Sequence, residues 1–302
     1  MLLIIVSILL LWKGADWVVE SASRIGKRFG MSDIVIGLTI IAFGTSAPEF
    51  AVTLSAALRG QGDISVGNVV GSNIFNLGFV LGGVAAIRAI QTNPSLVKRD
   101  GSVLIGTTIL LLIFMLDLHL SRWEGMTLFI LLISYMGYLL WKREALGEEE
   151  VIEGEATWRD GLMLLLGLTA IVGGGHLLVE SASGLALRFG ISEWVIGVTI
   201  VAAGTSAPEL VISLVAVLRG RHGISIGNLI GSDIFNLQGV LGLAAMINPM
   251  VVDREALSSI SILIVMVIVV VIFIRTGWSV SRKEGVFLVA VNLVRWVLDF
   301  TR

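Results

Sequence analysis

The chain of 302 residues has no cysteine, so disulfides, thiolate metal sites and cysteine nucleophiles are excluded. Three histidines leave little material for a transition-metal cluster. Charge is scarce as well. Only 15% of residues are Asp, Glu, Lys or Arg, against about a quarter in a soluble domain. That scarcity argues against an ordinary soluble enzyme, a nucleic-acid binder or a disordered scaffold. Apolar residues make up 56% of the chain, with a mean hydropathy of +0.94. They lie in long runs such as Val103–Leu116 and Ile260–Ile274. Continuous runs of this length indicate a polytopic helical membrane protein. A transmembrane barrel would show alternating segments instead.

A spanning helix needs roughly 20 apolar residues. On that measure we expect an all-α membrane protein with ten spans. They lie near 1–22, 33–58, 66–88, 101–118, 124–142, 160–182, 193–218, 226–247, 255–275 and 284–300. Met1–Trp12 resembles a signal peptide, but it has neither a basic n-region nor a small-residue cleavage motif, so it is expected to remain as a span. With the N-terminus outside, fourteen Lys and Arg fall in inner loops and six on the outer side. The bias predicts both termini outside a cell membrane and a cytoplasmic joint. That joint, 143–159, carries Glu144, Glu148, Glu149, Glu150, Glu153 and Glu155. It reads as a solvated linker, since its spacing matches no calcium loop.

The chain repeats itself at an offset of 160 residues. Segment 20–49 matches 180–209 at 20 of 30 positions, and 59–77 matches 219–237 at 12 of 19. Two units follow, 1–142 and 160–302, each with five spans. An odd number of spans inverts the second unit relative to the first. Inverted repeats are a secondary-transporter architecture, with the substrate held near the midplane between them.

The repeated block Gly44-Thr45-Ser46-Ala47-Pro48-Glu49 recurs as Gly204-Thr205-Ser206-Ala207-Pro208-Glu209, inside apolar spans. Proline there removes a helix hydrogen bond and clashes with the carbonyl four residues back, which belongs to Gly44 or Gly204. Freed carbonyls in a membrane need a partner, and a cation is one. Glu49 and Glu209 are intramembrane carboxylates, which mark functional sites. With the hydroxyls of Thr45, Ser46, Thr205 and Ser206 they make a hard, all-oxygen set suited to Ca²⁺ or Na⁺ and poorly suited to copper or zinc. In the second block, Ser72 and Asn76 share a helix face, as do Ser232 and Asn236. Gly67, Gly71, Gly227 and Gly231 form small-xxx-small steps for close packing. Lys13 and Asp16 read as a local ion pair, and His176 aligns with Asp16 at the repeat offset.

These paired blocks, GTSAPE with GSNIFN or GSDIFN in inverted five-helix halves, resemble the calcium/cation antiporter superfamily, most closely its prokaryotic sodium/calcium exchangers. The resemblance implies four cation positions around the two glutamates. Glu49, Glu209, Thr45 and Thr205 would hold Ca²⁺. The Ala42 carbonyl with Ser46 and Ser72 would line an inner Na⁺ position, and Ala202, Ser206 and Ser232 an outer one. Asn76 and Asn236 would border the middle. Many relatives carry Asp where this chain has Asn236, which limits the site to −2 and weighs against potassium co-transport. Asp233 lies three residues earlier, and the sequence leaves its role open.

The expected activity is therefore Ca²⁺ exchange for Na⁺ by alternating access, performed by a monomer in the bilayer with no resident cofactor, no nucleic-acid partner and no enzymatic step. A proton-coupled Ca²⁺ antiporter using the same glutamates is the alternative, with a passive cation channel behind it. Ser46 and Ser206 lack a His or Lys base at a matching position in both halves, which leaves an intramembrane enzyme without support.

Overall fold

The computed structural model describes residues 2–142, 156–189 and 202–300. The acidic joint over 143–155 and the first part of the seventh expected span fall outside these residues. The described chain is helical. Its elements are α1 (Leu2–Arg28), α2 (Asp33–Thr45), α3 (Ala47–Leu58), α4 (Gly62–Ile87), α5 (Leu96–Asp117), α6 (Arg122–Lys142) and α7 (Trp158–Arg188), followed by α8 (Ala202–Thr205), α9 (Ala207–Leu218), α10 (His222–Ile247), α11 (Arg254–Arg275) and α12 (Arg282–Phe300). Six of these, α4 to α7, α10 and α11, are long and apolar enough to cross a membrane, and α2 with α3 makes a seventh if a bent pair counts as one span.

The burial pattern is that of a membrane protein. Large apolar side chains such as Ile113, Leu165 and Val265 face outward, while serines, asparagines and carboxylates fill the interior. Trp123, Trp141 and Trp158 stand exposed at helix ends, as interfacial anchors do. The two most buried spans are α4 and α10, and they form the centre of the bundle.

α1 and α7 outrun their expected ends at 22 and 182, reaching Arg28 and Arg188. The reason is packing between the two helices. Ser21 and Ser23 on the last turns of α1 are buried, and Arg24 Nη1 bonds Asp160 Oδ1 of α7 at 3.0 Å. Apolarity sets the length of a helix in lipid, but these polar turns are held by protein. The pair crosses at small residues, since a Cβ on Gly14 would lie 2.8 Å from the Gly167 carbonyl oxygen.

Four two-residue strands were not anticipated. β1 (Ile90–Gln91) pairs antiparallel with β4 (Ser279–Val280), and β2 (His119–Leu120) with β3 (Met250–Val251). Each pair joins a loop of the first sequence unit to a loop of the second. The registers Ile90 with Val280 and Met250 with Leu120 are equivalent at the 160-residue offset.

The glycine steps are met in the second unit. Gly227 and Gly231 of α10 lie against the backbone of α2. A Cβ on Gly227 would come 2.5 Å from the Ile34 carbonyl oxygen, and one on Gly231 would come 2.6 Å from the Leu38 Cα. Gly67 and Gly71 meet nothing within 4 Å among the described residues; the positions equivalent to Ile34 and Leu38 at the repeat offset are 194 and 198, outside them. Because backbone cannot yield as a side chain does, Gly227→Ala is expected to destabilise the protein by about 2 kcal/mol. A melting-temperature scan in detergent checks this. Gly83→Ala, whose Cβ meets nothing among the described residues, should leave the melting point unchanged.

A polar clasp ties the two units at one end of the bundle. Arg219 Nη2 pairs with Asp16 Oδ1 at 2.8 Å, and Arg221 Nη1 with Asp33 Oδ2 at 3.3 Å. The local partner expected for Asp16, Lys13, lies at 3.9 Å with its own side chain 60% exposed. Arg219, distant in sequence, is the stronger partner.

Candidate cation site

The proline blocks build the centre. α2 and α3 meet at Ser46 with a bend of 50°. The break is one residue wide, narrower than the unwinding expected at Gly44. Pro48 stands in the first turn of α3, where a missing N–H costs nothing, and Glu49 follows it. Pro208 and Glu209 stand the same way in the first turn of α9, after Ser206. Each glutamate thus occupies a helix N-terminus inside the bundle, where the helix dipole favours an acidic residue.

Both glutamates are fully buried, as are Thr45, Ser46, Ser206, Ser232, Asn76 and Asn236, and Ser72 is nearly so. The side chains cross between the motifs. Ser72 and Ser206 face Glu49, Thr45 faces Glu209, and the two carboxylates lie within electrostatic reach of each other. Yet among the described residues neither carboxylate oxygen of Glu49 or Glu209 receives a hydrogen bond of good geometry, and the hydroxyls of Ser46 and Ser206 also lack partners there. Buried oxygens are ordinarily bonded. An inward-facing set of unsatisfied oxygens is what a cation would complete.

Thr45 joins the halves. Its hydroxyl is 3.2 Å from Asn228 Oδ1, 3.1 Å from Ser232 Oγ and 3.3 Å from the Ala42 carbonyl oxygen, which also accepts from the Ser46 N–H. Ser232 therefore sits with Ala42 and Thr45. Thr205 is partly exposed at the end of α8, and Ala202 is the first residue of that helix.

Residues passed over in the sequence complete the frame. Asn68 Nδ2 donates to Thr53 Oγ1 at 2.9 Å and to the Glu49 carbonyl at 3.4 Å. Its counterpart Asn228 donates to Ser213 Oγ at 3.1 Å and to the Glu209 carbonyl at 3.5 Å. These asparagines fix the helix turn that carries each glutamate. Their signal was their place in the repeated block. Asp233, whose role the sequence left open, is fully buried and accepts from Asn76 Nδ2 at 3.1 Å. A widened π-helical turn follows it over Phe235–Val240, matched at Asn76–Val80. Such turns recur at functional sites. His176, by contrast, is exposed.

Among the described residues no three acidic or imidazole side chains converge enough to hold a metal alone. Hydroxyl, amide and carbonyl oxygens have to supply the remaining ligands, which fits Ca²⁺ or Na⁺. An apolar groove of about 630 Å³ beside Gly44, lined by Phe43, Leu168 and Phe235, is too poor in oxygen to serve a cation.

The sequence matches the family described as sodium/calcium exchanger protein over residues 1–141 and 161–298. It is 33% identical to the sodium/calcium exchanger MaX1 of Methanosarcina acetivorans, over 95% of both chains. It is 40% identical to the putative antiporter CaxA of Alkalimonas amylolytica, over 82% of this chain and 81% of that one. The fold is similar to that of the sodium-calcium exchanger NCX_Mj, with a TM-score of 0.86, 31% identity, and 99% and 98% of the two chains covered. This chain is a multi-pass membrane transporter and belongs to the sodium/calcium exchanger family.

Proposed function

We propose that the protein is a secondary antiporter that moves Ca²⁺ against Na⁺ at a site made by Glu49 and Glu209. One observation carries this reading: two repeat-equivalent glutamates are fully buried, face the hydroxyls of the opposite motif, and among the described residues have no hydrogen-bond donors of good geometry on their oxygens. Two carboxylates balance one Ca²⁺ or share several Na⁺. Competition for the same oxygens excludes both loads at once and produces exchange. Thr45, Ser46, Ser72, Ser206, Ser232, Thr205 and the backbone at Ala42 and Ala202 complete the shell, with Asn76 and Asn236 at its edge.

In this reading the chain has ten spans in two inverted units, 1–142 and 160–302, joined by the cytoplasmic linker 143–159. Both termini are outside the cell and the protein works as a monomer. Alternating access moves α1 and α7 past the centre. The Asp16–Arg219 pair, which ties α1 to the end of α9, opens during that movement.

The test is ⁴⁵Ca²⁺ uptake into proteoliposomes loaded with Na⁺ and diluted into Na⁺-free buffer. Uptake that needs internal Na⁺ is the expected result. Uptake driven by a pH gradient alone would make the protein proton-coupled, and uptake needing neither gradient would make it a channel.

A further inference from the structure

Four polar side chains meet between α4 and α10, and they form two repeat-equivalent pairs: Asn73 with Asp233, and Asn76 with Asn236. Their bonds cross symmetrically. Asn76 Nδ2 donates to Asp233 Oδ1 at 3.1 Å, and Asn236 Nδ2 donates to Asn73 Oδ1 at 3.2 Å. Asn73 also gives its amide to the Asp233 main-chain carbonyl at 3.0 Å.

Only residue 233 breaks the symmetry, and it does so by exchanging an amide for a carboxylate. Packing gives no reason for the exchange, since Asn and Asp have nearly the same shape. Energy argues against it, because a buried carboxylate with one hydrogen bond is far costlier than a buried amide. Among the described residues the exchange leaves Asp233 Oδ2 without a partner, and Asn76 Oδ1 and Asn236 Oδ1 are unpartnered too. All three residues are 0% exposed. Asp233 lies within electrostatic reach of both Glu49 and Glu209. The three carboxylates do not close on one ion, however. The surplus oxygens therefore belong to a neighbouring position.

We propose that Asp233, and not residue 236, supplies the third negative charge of the ion pathway, and that with the amide oxygens of Asn76 and Asn236 it holds one Na⁺ beside the glutamates. This rests on the antiport reading and deepens it. Ca²⁺ is retained by Glu49 and Glu209, so Asp233 sets the response to Na⁺ and not the affinity for Ca²⁺. The −2 limit drawn from Asn236 is then lifted by a carboxylate three residues earlier on the same helix.

The test compares wild type with Asp233→Asn, which restores the residue at the equivalent position of the other half. Asp233→Ser, smaller and also uncharged, serves if the first variant fails to fold. Purified protein in proteoliposomes is assayed for ⁴⁵Ca²⁺ uptake against internal Na⁺, and in detergent for ⁴⁵Ca²⁺ binding. Half-saturating Na⁺ is expected to rise about tenfold with a shallower Na⁺ dependence, while half-saturating Ca²⁺ moves less than about threefold. An unchanged Na⁺ response in an exchanging protein would overturn the assignment, and so would equal losses for both ions. Absence of Na⁺-driven uptake in the wild type would overturn the antiport reading and this assignment with it.

Discussion

Changing Glu49→Gln and Glu209→Gln together is expected to reduce Na⁺-driven Ca²⁺ uptake at least about a hundredfold while leaving the protein folded. Both parts follow from burial. Each carboxylate is 0% exposed and its oxygens find no donor of good geometry among the described residues. Without a cation, two such groups strain the centre. Glutamine has the same shape and no charge, so the double variant removes two buried carboxylates whose charged forms are costly without partners. The ion-free double variant should therefore melt at or above the wild-type temperature. Added Ca²⁺ should raise the melting point of the wild type, because a ligand at about 100 times its Kd contributes about 2.7 kcal/mol. The double variant should show no such rise. Equal Ca²⁺-induced shifts in the two proteins would rule out the glutamates as the site. Each single variant leaves one glutamate at the central position, enough for a monovalent ion but poor for a divalent one. Ca²⁺ binding should then fall further than Na⁺ binding in both.

Much of this arrangement is legible in the sequence because the chain is duplicated. The 160-residue offset pairs Glu49 with Glu209 and Asn76 with Asn236, and lipid imposes long apolar runs that betray helices. What escapes is whatever depends on contact between helices. The polar ends of α1 and α7 lie beyond the apolar runs because protein, not lipid, surrounds Ser21 and Ser23. The closer partner of Asp16 is Arg219, which no local spacing rule can reach, while the expected Lys13 pair is present but longer. Asp233 and Asn236, three apart, share a helix face, but their partners Asn76 and Asn73 on α4 are set by a contact that spacing does not give. Strands of two residues carry no periodicity at all. In each case the residue type was visible and its neighbour was not.

Asn228→Leu should be the most damaging substitution outside the carboxylates. Asn228 spans the two motifs. Its amide holds Ser213 Oγ at 3.1 Å and reaches the Glu209 carbonyl at 3.5 Å, while its Oδ1 lies 3.2 Å from the Thr45 hydroxyl of the other half. Thr45 in turn faces Glu209. Leucine removes the donor that steadies the turn carrying Glu209 and the acceptor that orients Thr45 toward it. Thr45 keeps Ala42 and Ser232 as partners and Ser213 keeps the Ser225 carbonyl, so the loss falls on orientation and not on unsatisfied hydroxyls. Asn68 makes the corresponding bonds to Thr53 and the Glu49 carbonyl. The expected outcome is a Ca²⁺ affinity about 10–100-fold weaker for Asn228→Leu, and a loss in the same direction for Asn68→Leu. Asn228→Asp sharpens the comparison, because it keeps the acceptor for Thr45 and loses the donor to Ser213. If orientation of Thr45 governs the site, Asn228→Asp retains more Ca²⁺ binding than Asn228→Leu. If the steadied Glu209 turn governs it, the two fail alike. Ca²⁺ titration of the purified variants, with melting temperatures recorded beside it, separates the two routes.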